Sequence, residues 1–312
     1  MVSSIAFLIC TEPGDLAEKS LLLAESLRCF GGTLKDSPIY SFQPREGNEI
    51  DPQILEKFDG LEVIHQKIIL NTEYSYYPIA NKILVSAYGE QNLDAEVLVF
   101  LDSDQVFFQE PKELLLSPGY DVAMRPVDRK HIGSTGEGDD REDYWQKLYH
   151  LFEIDREIWV ETTVEKETIR GYWNSGMVAA RRDTGLFSAW LENFKRAMAH
   201  QLIPESGLFH LDQLTLAATI ASGNFDFLTL SPTYNYPLHK QSQIQKSERI
   251  KSFDEVVSIH YHWMFKGEDW RGSLENLPEF DRESKRYRWL CSYLSKRSFK
   301  YKMRGLLLSD GR

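Results

Sequence analysis

One stretch constrains this chain more than any other: Val97-Leu98-Val99-Phe100-Leu101 runs straight into Asp102-Ser103-Asp104, and apolar Val106-Phe107-Phe108 resumes at once. A continuous apolar, β-prone run with no polar alternation predicts a strand covered on both faces, the state of a central strand in an α/β sheet. Residues i and i+2 of a strand share a side, so Asp102 and Asp104 are expected to project together from the carboxyl edge of that sheet. In open α/β sheets this edge is where ligands bind. Two carboxylates so placed repel each other and resist desolvation, which a hard divalent cation between or beside them relieves. A generic Asp-x-Asp has a simpler use, one carboxylate capping a following helix and the other solvated.

The flanking pattern supports a sheet. Ile5–Cys10 reads as a first buried strand, Asp15 as the N-cap of a helix to about Cys29, and Gly31-Gly32 as its stop. A strand over Pro38–Phe42, a short helix over Pro52–Phe58 and a strand over Leu61–His65 follow. Pro78 then opens a helix that Gly89 closes near Tyr88. Alternating strands and helices at these intervals predict an α/β fold, with a mostly parallel, Rossmann-like central sheet flanked by helices. Beyond Asp104 we expect a short strand at Tyr120–Arg125, a loop over 129–142, and a helix at Tyr144–Phe152. A strand from Trp173 to Ala180, helices at Asp183–Met198 and His210–Ala221, and strands at Phe225–Leu230 and Glu255–Tyr261 complete the reading. No repeat or linker interrupts 1–280, which we read as one catalytic domain: a nucleotide-binding half, 1–104, and an acceptor and sugar half, 105–280.

Composition excludes several classes. With 312 residues, 42% of them hydrophobic, the chain can build one large core. Cys10, Cys29 and Cys291 are scattered without metal spacing, which predicts neither a disulfide framework nor a zinc site and suits a reducing, cytoplasmic setting. No signal-peptide pattern and no membrane-spanning run is expected. The net charge is −11, yet 281–312 carries +7, leaving −18 for the remainder. An acidic body argues against nucleic acid as a partner.

Four features then fall in order: Asp102-Ser103-Asp104, Asn174-Ser175-Gly176, Asp212-Gln213, and His260 with Lys266 six residues on. This order resembles the GT-A glycosyltransferases, most closely the retaining family-8 group of galactosyltransferase and glycogenin-like enzymes, from Ile5 to about Trp270. The resemblance implies a GT-A fold and a nucleoside-diphosphate-sugar donor, with UDP favoured. It also implies Mn²⁺ (or Mg²⁺) held by Asp102, Asp104 and His260, with Lys266 on the phosphates. Thr11, Lys82 and Ser103 would contact the donor. Asp212, Gln213 and Asn174 would flank the donor sugar at the reacting centre, and the acceptor would be a glycan or small-molecule hydroxyl.

The chain departs from that pattern in two places. His262 would share the strand face of His260 and could be the ligand instead, and the first turn lacks the group's usual Asp-x-Asn. The chemistry of the set is consistent by itself. Carboxylates plus an imidazole suit Mn²⁺, a cation assists a diphosphate leaving group, and amides and carboxylates orient sugar hydroxyls. A haloacid-dehalogenase-type phosphatase, with Asp102 as nucleophile, and a non-catalytic nucleotide- or glycan-binding module are the alternatives. The basic, aromatic segment 285–304 resembles the tail of the same enzyme group, where it would meet the inner face of a membrane. A helix laying its aromatic residues on the acidic body accounts for it equally.

Overall fold

A computed structural model describes residues 4–266 and 270–309, with side chains to 297. In chain order the elements are β1 (Ile5–Cys10), α1 (Asp15–Phe30), β2 (Ile39–Gln43), α2 (Pro52–Gly60), β3 (Val63–Lys67), α3 (Ala80–Asn92) and β4 (Val97–Leu101). Next come β5 (Gln105–Phe107), β6 (Val122–Pro126), α4 (Glu142–Phe152), β7 (Trp159–Glu161), β8 (Thr168–Arg170) and β9 (Trp173–Arg181). The chain continues through α5 (Leu186–Ala199), α6 (Leu211–Ser222), β10 (Phe227–Thr229), β11 (Tyr236–Pro237), β12 (Ser258–His260), α7 (Trp270–Glu275) and α8 (Lys285–Ser309).

The main sheet has seven strands in the order β10-β6-β9-β4-β1-β2-β3. Strand β9 runs antiparallel to both neighbours, β4 and β6, and every other pairing is parallel. Strand β4 is buried throughout, and its alternation feeds two cores. Leu98 and Phe100 join the core that holds Ile83, Trp190 and Leu214, while Val97, Val99 and Leu101 join the one holding Leu21, Leu23 and Phe58. Strand β1 splits the same way, Ala6 and Leu8 against Ile5, Phe7 and Ile9. An unbroken apolar run is therefore required here, because neither face of these strands meets water.

Directly after Asp104 the chain turns into β5, which leaves the main sheet and pairs with β12 in a smaller sheet of order β11-β12-β5. The antiparallel register sets His260 opposite Gln105. Three-residue strands embedded in a long loop-rich region carry no periodicity, so β5, β11 and the β7–β8 hairpin were not expected.

Several sequence expectations need correction. Asp15 is the first residue of α1 rather than its cap, and Gly14 occupies the cap position at φ 87°. Gly89 lies inside α3, not at its end. A Cβ there would sit 2.7 Å from a Leu8 methyl, so the missing side chain allows α3 to close on β1. The 129–142 loop is tied down: Ser134 donates to Glu142, Lys130 Nζ meets Asp139 at 2.7 Å, and Arg170 grips Glu142 at 2.6 and 3.0 Å. In α8, Tyr287, Leu290 and Leu294 are buried, Trp289 packs edge-on to Phe30, and Arg297 meets Asp15 at 2.6 Å. The protein itself covers the apolar side of this segment as far as its side chains are described; Phe299 and Tyr301 lie outside that range. Among the described residues no helix is long and apolar enough to cross a membrane.

Two outcomes follow from this packing. Gly89→Val should lower the unfolding free energy by about 1–3 kcal/mol through overpacking against Leu8. Gly60→Ala, at a helix end with open space around it, should raise that energy by about 0.4–1 kcal/mol; urea melts read both. Hydrogen bonding from Arg170 holds the Glu142 carboxyl at about 2, below its ordinary 4.5. The stability it lends the 129–142 loop should be complete above pH 4.5 and fall away toward pH 2, seen as lower protection factors, corrected for the intrinsic exchange rate at each pH, at Gly136 and Asp139.

Candidate active site

The carboxyl edge of β4 opens into a cleft of about 760 Å³. Its wall runs from Cys10 and Glu12 after β1, past Asp102–Asp104 and Asn174-Ser175, to Asp128 after β6. This is the edge at which open α/β sheets take ligands.

At its centre stands Lys82. Its Nζ lies 3.0 Å from Asp102 Oδ1, 3.1 Å from Ser175 Oγ and 3.4 Å from Asp212 Oδ2. Four elements meet at one ammonium: the helix α3, the end of β4, the start of β9 and the first turn of α6. Burial alone would depress the Lys82 amine, but Asp102 and then Asp212 lift it above the ordinary lysine range, so it stays charged. Asp212 is 1% exposed; it accepts from Ser175 Oγ, and Tyr77 OH lies 3.5 Å from its other oxygen. Trp190 Nε1 holds the Asp212 carbonyl at 3.0 Å, which fixes the start of α6.

The second group sits across the β5–β12 register. His260 Nε2 lies 3.0 Å from Asp104 Oδ1, and His262 Nδ1 is 3.9 Å from Asp104 Oδ2. One ligand atom from each of Asp104, His260 and His262 falls within 4.8 Å of the others. One carboxylate oxygen and two imidazole nitrogens at this spacing fit a divalent cation such as Mn²⁺. Burial would lift the Asp104 carboxyl, but His260 holds it far below the usual carboxylate range. Burial also pushes His262 down to about 3, leaving its imidazole neutral and able to ligate. The trio keeps Asp104 and His260 of the expected set and adds His262, while Asp102 is turned onto Lys82 and burial raises its carboxyl.

Backbone shape permits this crowding. A Cβ on Gly176 would lie 2.7 Å from Asp102 Oδ2, 2.9 Å from Asn174 Oδ1 and 3.0 Å from His260 Cε1. Only glycine lets β9 pass so close to both groups. Asn174 Oδ1 accepts from the Gly176 amide at 2.9 Å and from Asn235 Nδ2 at 3.0 Å.

Of the residues singled out in the sequence, Lys82, Asp102, Ser103, Asp104, Asn174, Asp212, Gln213 and His260 line this cleft. Two do not. Thr11 is fully buried, its hydroxyl donating to Ser20 at 2.9 Å and accepting from Ser41 at 2.7 Å. Glu12, held bidentately by Arg45 at 2.6 and 2.5 Å, faces the cleft in its place. Lys266 is exposed on the turn after β12 and does not line the cleft; residues 267–269 lie outside the described ones. The lysine that lies against Asp102 and Asp212 in the cleft is Lys82. Sequence reading took Ser175 only as part of Asn-Ser-Gly, Tyr77 only as part of an aromatic cluster and His131 only as part of the 129–142 loop, and gave Asp128 and His239 no role. A serine inside Asn-x-Gly could have been noticed from its place beside a strand end, whereas the other four carry no spacing signal.

Sheet order, cleft position and the clustered carboxylates define the class: the fold is that of the GT-A glycosyltransferases. Residues 7–224, well over half of the chain, match the Rhodobacterales glycosyltransferase domain, and the chain belongs to that family. Among solved structures, the bifunctional glycosyltransferase WbbM in its apo form is similar at a TM-score of 0.50 and 13% identity, over 92% of this chain and 52% of that one. The chain thus spans about half the length of that relative. Apo mouse xyloside xylosyltransferase 1 is similar at a TM-score of 0.46 and 14% identity, over 83% of this chain and 97% of that one. No curated protein is detectably similar in sequence.

Replacing Lys82 tests the central bridge. In Lys82→Met two buried carboxylates face each other uncompensated, which should remove about 3–5 kcal/mol of stability in metal-free buffer at neutral pH. Burial already raises Asp102, and losing the ammonium raises it further. The deficit should therefore shrink as pH falls and the carboxyl takes up its proton. Urea melts across that range would show it; a deficit independent of pH would mean that Lys82 acts through packing alone.

Proposed function

We propose that the protein is a metal-dependent glycosyltransferase that moves a sugar, a hexose foremost, from a nucleoside diphosphate donor to an acceptor hydroxyl. UDP is the favoured donor nucleotide and retention the favoured outcome, both from the resemblance to the family-8 group. The observation that carries this reading is the Asp104–His260–His262 cluster set beside the Lys82 bridge in one cleft. Those three residues would hold Mn²⁺ or Mg²⁺, which when bound neutralises the diphosphate as the sugar–phosphate bond breaks.

The chain's own groups do the rest. Lys82 holds a fixed positive charge where the leaving group gathers negative charge. The Asp212 carboxylate, aimed by Lys82 and Ser175, orients sugar hydroxyls, and Gln213 and Asn174 supply neutral donors and acceptors. Asp102, the carboxylate that shares Lys82 with Asp212, has both oxygens against the ammonium, which suits a reaction in which the acceptor proton leaves with the phosphate. The Glu12–Arg45 pair, at the end of β1, is suited to meet the nucleoside. The phosphatase alternative fares worse, because its nucleophile, Asp102, has both oxygens against Lys82. Three free cysteines suit a cytoplasmic site of action.

Thermal stabilisation and release of the nucleoside diphosphate with UDP-glucose, UDP-galactose, UDP-N-acetylglucosamine, UDP-xylose and GDP-mannose, with and without Mn²⁺, test the proposal. At least one donor should stabilise the protein only when Mn²⁺ is present. Asp104→Asn and His260→Ala should each lower turnover about 100-fold or more, in line with lost electrostatic stabilisation. Indifference to every donor in the presence of Mn²⁺ would refute the reading.

A further inference from the structure

The far end of the cleft holds a second polar group that the donor chemistry does not use. Asp128 follows β6, which lies two strands along the sheet from β4. His239 bridges Asp128 to His262, with 4.2 Å between the two imidazole centroids, so a sugar held by Asp128 would lie next to the proposed cation site. Asp128 Oδ1 lies 3.3 Å from His131 Nε2, and Oδ2 lies 3.8 Å from His239 Nε2. Burial would lift this carboxyl, but His131 holds it down at about 2, so it remains an acceptor-only group. His131 stands on the 129–142 loop at φ 46°, a left-handed backbone that a non-glycine residue holds at a cost of about 1–3 kcal/mol.

An exposed aromatic ring faces the same space. Phe209 is 66% exposed yet lines the cleft, one turn ahead of Asp212 and Gln213. Its ring meets His210 edge-on with 4.8 Å between centroids, and His210 lies 5.6 Å from His131. An apolar ring left in water beside a carboxylate and three imidazoles matches a ligand with one apolar face and a rim of hydroxyls. The only cation among the described lining residues at this end, apart from Arg125, is Lys240. Arg125 is spent on the carbonyls of Pro232 and Tyr234 at 2.9 and 2.8 Å. The site is therefore not built for a phosphate.

We propose that Asp128, His131 and Phe209 form the acceptor subsite and that the acceptor is a neutral pyranoside, with its ring face on Phe209 and neighbouring hydroxyls on Asp128. This rests on the glycosyltransferase reading above and deepens it by naming the acceptor class. Asp128 is a specificity residue here. His131 positions it, and the transferred atoms stay with the donor and the acceptor hydroxyl.

The test uses the full chain with Mn²⁺ and UDP, and as probes methyl glucoside, methyl galactoside, methyl mannoside, lactose and maltose. Saturation-transfer NMR should show at least one probe binding the wild type. Asp128→Asn and Phe209→Ala should each weaken it tenfold or more, and Phe209→Tyr should largely restore it. His131→Ala should raise the acceptor KM more than it lowers kcat. Thermal stabilisation by UDP with Mn²⁺ checks that each variant is folded. If UDP with Mn²⁺ fails to stabilise even the wild type, the donor reading falls and the subsite with it. If UDP with Mn²⁺ does stabilise the protein but no pyranoside binds, the acceptor inference alone falls. Equal binding by Asp128→Asn and Phe209→Ala, or transfer to a serine peptide in place of the sugars, also overturns it.

Discussion

The structure turns on one buried ammonium shared by two carboxylates. Lys82 reaches from α3 to Asp102 and Asp212, and without it β4 and α6 would bring like charges together away from water. A buried pair of this kind is weak evidence for stability, since desolvation consumes most of the Coulombic gain. Its value lies in specificity of arrangement. One hub fixes where the end of β4, the start of β9 and the first turn of α6 stand relative to each other. Those are the pieces that line the middle of the cleft.

The second constraint is steric. Strand β9 runs against its neighbours and brings Gly176 past the tip of β4, where no side chain larger than hydrogen fits between Asp102, Asn174 and His260. The chain then leaves the main sheet at β5, and pairing with β12 carries His260 back to Asp104 across 156 residues. The Asp104–His260–His262 trio is thus a product of a small mixed sheet grafted onto the edge of a larger, mostly parallel one. The two sheets have separate cores, with Ile259, Tyr261 and Phe108 in the outer one.

These constraints give the cleft a direction. Glu12 and Arg45 stand at the β1 end, the cation site and Lys82 in the middle, and Asp128 with Phe209 beyond β9. The side chains change along that path: carboxylates, one ammonium and imidazoles cluster in the middle, and an exposed aromatic ring with Asp128 and further imidazoles lines the rest.

The sequence by itself determined the central sheet and the tip of β4. An apolar run covered on both faces has no other stable home, and the Asp-x-Asp that ends it can only lie at the carboxyl edge. Asn174, Asp212 and His260 were legible because their order along the chain matched a known pattern. What only the tertiary structure decided were the partnerships. Asp102 goes to Lys82, and His262 completes the trio, because rotamers and strand register depend on packing from distant segments. Thr11 is buried, and Lys266 stays outside the cleft, for the same reason. Asp128, His131 and Phe209 meet only because β6, the 129–142 loop and the turn before α6 converge at one sheet edge. No local periodicity records such a convergence, since the contacts that enforce it join residues far apart in the chain.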